Sequence, residues 1–105
     1  MVIDISTPTN ALSGDRYEAR LFRLFAHPTR LRILRALIAH HDTVIVKDLC
    51  ELTGVAQPTV SHHLAQCEAH GLVTCRRHGL ECYYRVQPEK VAEAQRLLDA
   101  LFPEE

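Results

Sequence analysis

Two cysteines flank a His-Gly pair in the segment "TCRRHGLECYY", residues 74–84. Glycine accepts positive φ freely and histidine is among the residues enriched there, so His78-Gly79 is predicted to be a two-residue hairpin turn. Counting back from that turn makes Cys75 and Cys82 direct cross-strand neighbours, with an expected Cα separation of about 4.5–5.5 Å. Disulfides span Cα separations of about 4.4–6.8 Å. A disulfide between the two strands is therefore within reach, although strained.

Three chemical interpretations of this pair stay open. The two cysteines could be thiols on the apolar face of the hairpin, or they could oxidise reversibly to a labile disulfide and so change the shape of the hairpin. They could also supply two thiolates to a soft ion such as Zn(II), Cd(II) or As(III). A third ligand would then come from Cys50, His78 or a neighbouring subunit.

A helix-turn-helix pattern precedes the hairpin, in "VIVKDLCELTGVAQPTVSHHLAQCEAHGLV". A helix of about eight residues ends at Leu52, a Thr-Gly break follows at Thr53 and Gly54, and a second helix has Pro58 in its first turn. The first half of the second helix carries short or planar hydrogen-bonding side chains on the face opposite its apolar stripe. Such side chains suit base edges and phosphates in a major groove, although an ordinary polar helix face is the alternative. The side chains are Gln57, Thr59, Ser61 and His62.

The remaining thiols and imidazoles have simpler interpretations. Cys67 is in register with the apolar stripe of its helix, and free cysteine is among the most buried residue types, so it is predicted to be a core residue. Cys50 could be either a core residue or a ligand. DNA contact for His62 and packing or capping for His63 are favoured over metal binding.

The basic hairpin after the helix-turn-helix is predicted to be a wing. Arg76, Arg77 and His78 would lie along a phosphate backbone or enter a minor groove. The net charge is only −1 over 105 residues, but basic residues are concentrated in two segments, the hairpin and residues 15–35. Residues 15–35 contain six arginines and two acidic residues. Residues 87–105 have five acids against two basic residues, so that segment should face away from phosphate.

The length and ordinary composition predict one globular domain over residues 14–103, preceded by a flexible arm over residues 1–13. Helices are expected over residues 15–26, from Pro28 to about His40, and over residues 88–102. A chain this short buries a limited core, which favours self-association. The first and last helices are therefore predicted to form a homodimer interface. Its expected residues are Tyr17, Leu21, Leu24, Val91, Leu98, Leu101 and Phe102.

Taken together, "LFRLFAHPTRLRILRALI", "DLCELTGVAQPTVSHHLAQCEAHGLV" and "RRHGLECYYRV" are similar to the ArsR/SmtB family of winged-helix repressors, from about Asp15 to Phe102. The resemblance implies a mainly α-helical winged helix-turn-helix fold with a β-hairpin wing. It also implies a homodimer that binds a palindromic DNA operator and releases it when a metal ion, metalloid or oxidant binds. Gln57, Thr59, Ser61 and His62 match the family's DNA-reading helix, and Arg76 and Arg77 match its wing.

The sensing sites of the family are incomplete in this chain. Arsenic and cadmium sensors carry Cys-Val-Cys-Asp-Leu-Cys in the first helix of the helix-turn-helix, where residues 45–50 read "IVKDLC" and only Cys50 remains. Zinc and nickel sensors use histidines of the closing helix, and no histidine follows His78. A further variant has two cysteines four residues apart where Gln66 and His70 stand. The hairpin cysteines are therefore the best remaining candidates for a sensor.

The predicted function is a cytoplasmic, DNA-binding transcriptional repressor. No basic apolar leader opens the chain, and no run approaches the roughly 18 apolar residues that cross a bilayer, so no membrane association is expected. No nucleophile with an adjacent base, phosphate loop or complete metal motif is visible, so we do not expect an enzyme. The alternative is a winged-helix module that binds only proteins, or a regulator without an inducer.

Overall fold

A computed structural model of the chain describes residues 9–40 and 43–101, with the side chains of residues 9–13 excepted. In this part of the chain five helices and a two-stranded hairpin follow one another in the order that the sequence predicts. The elements are α1 Thr9–Arg23, α2 Pro28–His40, α3 Val46–Thr53, α4 Gln57–Ala69, β1 Val73–His78, β2 Glu81–Val86 and α5 Pro88–Leu101. No helix among them is long and apolar enough to span a bilayer.

Helix α1 begins and ends earlier than its apolar periodicity predicted. It starts at Thr9, so residues 9–13 are helical where the composition indicated a flexible arm. Residues 1–8 of that arm lie outside the described residues. No proline stands between Pro8 and Pro28, so nothing in the covalent chain prevents the additional helical turn. At the other end the backbone tightens, because the Leu24 and Phe25 amides donate to carbonyls only three residues back.

The turn between α3 and α4 forms at the predicted Thr-Gly break. Gly54 has φ +72°, and its amide donates to the Cys50 carbonyl at 2.9 Å. The Thr53 hydroxyl donates to the Leu49 carbonyl at 2.6 Å and accepts from the Val55 amide at 3.2 Å. Glycine takes the left-handed conformation at a helix C-terminus without steric cost. These bonds set the angle at which α4 leaves the turn.

The core is assembled from every helix and from β1. The apolar stripe of α4 lies at its centre, since Val60, Leu64 and Cys67 are at most 1% exposed. The prediction that Cys67 is a core residue is confirmed, and burial raises the pKa of its thiol. The other core members are Leu21, Leu24, Ile33, Leu34, Leu37, Val44, Leu49, Leu72, Val73 and Ala94.

The predicted hairpin register is wrong by one residue in the turn. His78 pairs with Glu81, so the two-residue loop is Gly79-Leu80 and not His78-Gly79. Gly79 has φ +67°, and it occupies the first loop position, where a type II′ turn takes glycine. Every cross-strand partner therefore moves by two residues. Cys75 faces Tyr84 and Arg77 faces Cys82.

Helix α1 packs against α5 within one chain, and this changes the expected dimer surface. Leu21 and Leu24 are each only 4% exposed in the core of a single chain, so they are not available to a partner. Tyr17 is exposed, and its hydroxyl donates to Glu93 at 2.6 Å and accepts from Lys90 at 2.7 Å. The hydrogen bond that Lys90 donates to the Tyr17 hydroxyl raises the pKa of Lys90. The hydrogen bond that Glu93 accepts from that hydroxyl lowers the pKa of Glu93.

Candidate nucleic-acid interface

Helix α4 presents a polar, solvent-exposed face over its first two turns. Gln57, Thr59, Ser61 and His62 are all exposed, whereas Val60 between them is fully buried. Pro58 occupies the first turn, where the amide that it lacks would have had no partner within the helix. The buried stripe holds α4 on the core and turns these four side chains outward. Their chemistry suits hydrogen bonding to base edges and phosphates.

His63 lies on the buried side of α4 and joins it to α2. Arg30 Nε donates to His63 Nδ1 at 3.2 Å, and the Arg30 guanidinium also donates to Gln66 Oε1. The centroid of the His27 ring lies 4.6 Å from that of His63. Burial lowers the pKa of His63, and the positive charges of Arg30, His27 and His62 lower it further. His63 is therefore a neutral packing residue that fixes α4, as the packing interpretation predicted.

The hairpin projects basic side chains into solvent. Arg76, Arg77 and His78 are all exposed, which is the condition for the predicted wing. Successive strand residues point to opposite faces, so Arg76 and Arg77 lie on different sides of the ribbon. Leu80 is 100% exposed at the tip, in the two-residue loop. The exposure of Leu80 could not be predicted from the alternation of side chains along the strands, because it depends on which residues form the loop.

Cys75 and Cys82 lie on one face of the hairpin, and their sulfur atoms are close enough to pair as a disulfide. They are diagonal neighbours and not the direct pair that the sequence predicted, with a Cα separation of 5.6 Å. Both residues are half-buried. Side chains alternate between the two faces of a strand, so a shift of two residues in the pairing leaves each side chain on its original face. Both sulfurs therefore stay on the same side of the hairpin.

The segment that carries the thiolate ligands in arsenic and cadmium sensors, residues 45–50, has structural roles here. Asp48 Oδ2 accepts a hydrogen bond from the Ile45 amide at 3.1 Å and so caps α3. Cys50 is half-buried and packs against the core. Among residues 9–40 and 43–101, no group of three or more Cys, His, Asp or Glu side chains could hold a metal ion. A metal site at Cys75 and Cys82 would therefore need a ligand from outside the described residues of this chain.

Comparisons with known proteins agree with this geometry. A family profile described as "Helix-turn-helix domain" matches residues 25–76. An uncharacterised helix-turn-helix transcriptional regulator of Methanocaldococcus jannaschii is 36% identical, over 83% of this chain and 99% of its own. The arsenical resistance operon repressor of Escherichia coli is 35% identical, over 76% of this chain and 68% of its own. These matches cover the helix-turn-helix and extend well beyond it.

Solved structures resemble the whole arrangement of helices and hairpin. The homodimeric winged helix-turn-helix DNA-binding domain of a Mycobacterium bovis regulator superposes with a TM-score of 0.70 and 28% identity, covering 93% of this chain and 89% of its own. An exposed polar helix after a tight turn, followed by a basic hairpin, defines the class as winged helix-turn-helix DNA-binding proteins. With the identities above, the chain belongs to the ArsR/SmtB family of transcriptional repressors.

Proposed function

We propose that the protein is a cytoplasmic, homodimeric repressor that binds a palindromic operator through α4 and the wing and releases it when an oxidant acts on the wing cysteines. The observation that carries DNA recognition is the exposure of Gln57, Thr59, Ser61 and His62 beside a basic, solvent-exposed hairpin. In the operator-bound dimer, the two α4 helices would enter major grooves about one helical turn, roughly 34–36 Å, apart.

An apolar groove between α1 and α5 supports the homodimer. Phe22, Phe25, Val91 and Leu98 contribute to the lining of this space of about 410 Å³. Leu98 is 47% exposed and Leu101 56% exposed, and such exposed apolar residues mark interaction sites when they are contiguous. A symmetry-related copy of the same groove would cover them. Phe102, the remaining predicted interface residue, lies outside the described residues.

The response is assigned to Cys75 and Cys82 because their sulfurs meet within the wing. Two thiols and one molecule of hydrogen peroxide yield one disulfide and two molecules of water, so each sulfur is oxidised and the peroxide oxygens are reduced. A cross-link between β1 and β2 limits how the hairpin can bend against a phosphate backbone. We therefore expect the oxidised dimer to bind its operator more weakly than the reduced dimer.

DNA recognition is tested by fluorescence anisotropy with duplexes from the region upstream of the protein's own gene. The variant Gln57→Ala with Thr59→Ala should lose sequence discrimination, since each good base contact contributes about 1–3 kcal/mol. Glu89→Gln, at an exposed position of α5 outside the α1–α5 groove, is the control and should keep the sequence discrimination of the parent. A protein-interaction module would bind no duplex in any form.

The redox response is tested with reduced protein on the same duplex. Hydrogen peroxide, As(III), Cd(II) and Zn(II) are titrated separately against the parent and against Cys75→Ser with Cys82→Ser. Peroxide should release the parent and leave the double variant bound, and Cys50→Ser should respond as the parent does. If the double variant still responds to peroxide, the wing cysteines are not the sensor.

A further inference from the structure

A polar cavity lies between the end of α1, the start of α2 and the second half of α4, away from the predicted DNA-reading side chains. Its volume is about 360 Å³, which falls within the range of about 300–1,000 Å³ typical of small-molecule pockets. No aspartate or glutamate of the described residues lines it. Its polar lining consists of Arg20, Arg23, His27, Arg30, Gln66 and His70.

Arg30 is a buried cation without a negative partner among the described residues. It is only 7% exposed, and its hydrogen bonds go to His63 and Gln66, which are both neutral acceptors. Buried charges in proteins are normally paired with an opposite charge. The neutral acceptors satisfy the guanidinium N–H groups but leave its charge uncompensated, so the site favours an anion beside it.

Other polar side chains at the cavity have N–H groups that do not donate to any described residue. The side chains of Arg20 and Arg23 make no hydrogen bond or ion pair with a described residue. The His27 Nδ1 accepts from the Thr29 amide at 3.2 Å, so the other ring nitrogen, Nε2, is left to donate. Three guanidinium groups carry more charge than a single carboxylate neutralises, and their planar forks suit phosphate oxygens.

We propose that this cavity is a binding site for a small molecule that carries a phosphate or diphosphate group. The site differs from both surfaces of the proposed repressor. With 3.6 residues per turn, Arg20 lies about 160° and Arg23 about 100° around α1 from Phe22, which lines the proposed dimer groove, and Ala26 borders both spaces. Because Arg30 also holds His63, an anion that binds Arg30 changes the surroundings of the His63 ring.

The test uses the full-length reduced protein and inorganic pyrophosphate as the probe, at constant ionic strength and constant pH. Calorimetry gives the dissociation constant, and the NMR signals of the His63 ring report occupancy of the cavity. The variant Arg20→Gln with Arg23→Gln removes two exposed charges from the cavity. The matched control, Arg16→Gln with Arg96→Gln, removes two exposed charges elsewhere.

The parent and the control should bind pyrophosphate saturably and shift the His63 signals. The cavity variant should raise the dissociation constant at least about tenfold, since charge-assisted hydrogen bonds to phosphate are strong. Equal thermal midpoints for the two variants confirm that both fold. Binding that does not saturate, or that weakens equally in both variants, would overturn the proposal. So would a result in which only duplex DNA, and not pyrophosphate, depends on Arg20 and Arg23.

Discussion

Removal of the two wing arginines should change the salt dependence of DNA binding by a calculable amount. Arg76 and Arg77 are both exposed, so Arg76→Gln with Arg77→Gln takes four positive charges from the surface of the proposed homodimer. Each phosphate contact contributes about 0.9 to the slope of log K against log salt, so the slope should become shallower by about 3.6. Between 50 and 200 mM salt the parent should then lose about 150-fold more affinity than the variant.

The measurement is fluorescence anisotropy with a duplex of about 30 base pairs, long enough for two half-sites one helical turn apart. Because counterion release is independent of sequence, any duplex that the parent binds is suitable. The control Arg16→Gln with Arg96→Gln removes the same charge from the helices and should leave the slope near that of the parent. If both variants change the slope equally, only net charge matters. If neither changes it, the hairpin does not contact phosphate.

Three further predictions concern stability and assembly. The stability of the parent should fall as pH drops below about 6.5, because the unfolded chain protonates His63 while the folded protein, in which its pKa is lowered, resists protonation. His63→Gln should flatten that dependence in urea titrations and His70→Gln should not, and equal curves for all three proteins would contradict the argument. Leu64→Ala should cost about 2–5 kcal/mol of unfolding free energy, whereas Leu80→Ala, at a fully exposed position, should cost almost none; comparable losses would place Leu80 in contact with the core. Leu98→Glu should convert the dimer to a folded monomer in light scattering with an unchanged circular dichroism spectrum, and a dimer of normal mass would exclude the α1–α5 groove as the interface.

The helix-turn-helix could be predicted because its signals are local. Pro58 in a first turn, the Gly54 break and the spacing of Val60, Leu64 and Cys67 act within one or two helical turns of sequence. The structure has α3 ending at Thr53, one residue after the predicted Leu52, and Cys67 is buried as those signals indicated. The exposed polar face of α4 follows from the same periodicity, since a helix that buries one stripe turns the opposite one outward.

The hairpin register could not be predicted as securely, because two adjacent dipeptides compete for the turn. Both His78-Gly79 and Gly79-Leu80 place the glycine in a two-residue loop, and local sequence does not separate them. Packing of the strands on the core decides the register, through the bond from the Tyr84 amide to the Val44 carbonyl at 3.2 Å. In the observed register Leu80 is exposed and the two cysteines are diagonal neighbours.

The sequence by itself determined the class of protein, the order of its elements and the exposed polar face of α4 that we propose reads DNA, because periodicity and turn chemistry are local. Only the tertiary structure decided which apolar residues remain free for a partner, since Leu21 and Leu24 are buried when α1 meets α5. It also decided the setting of Arg30, whose contacts with His63 and Gln66 lie more than thirty residues away. No pattern along the chain records such a separation, so a buried cation facing a basic cavity appears only when α1, α2 and α4 are packed together.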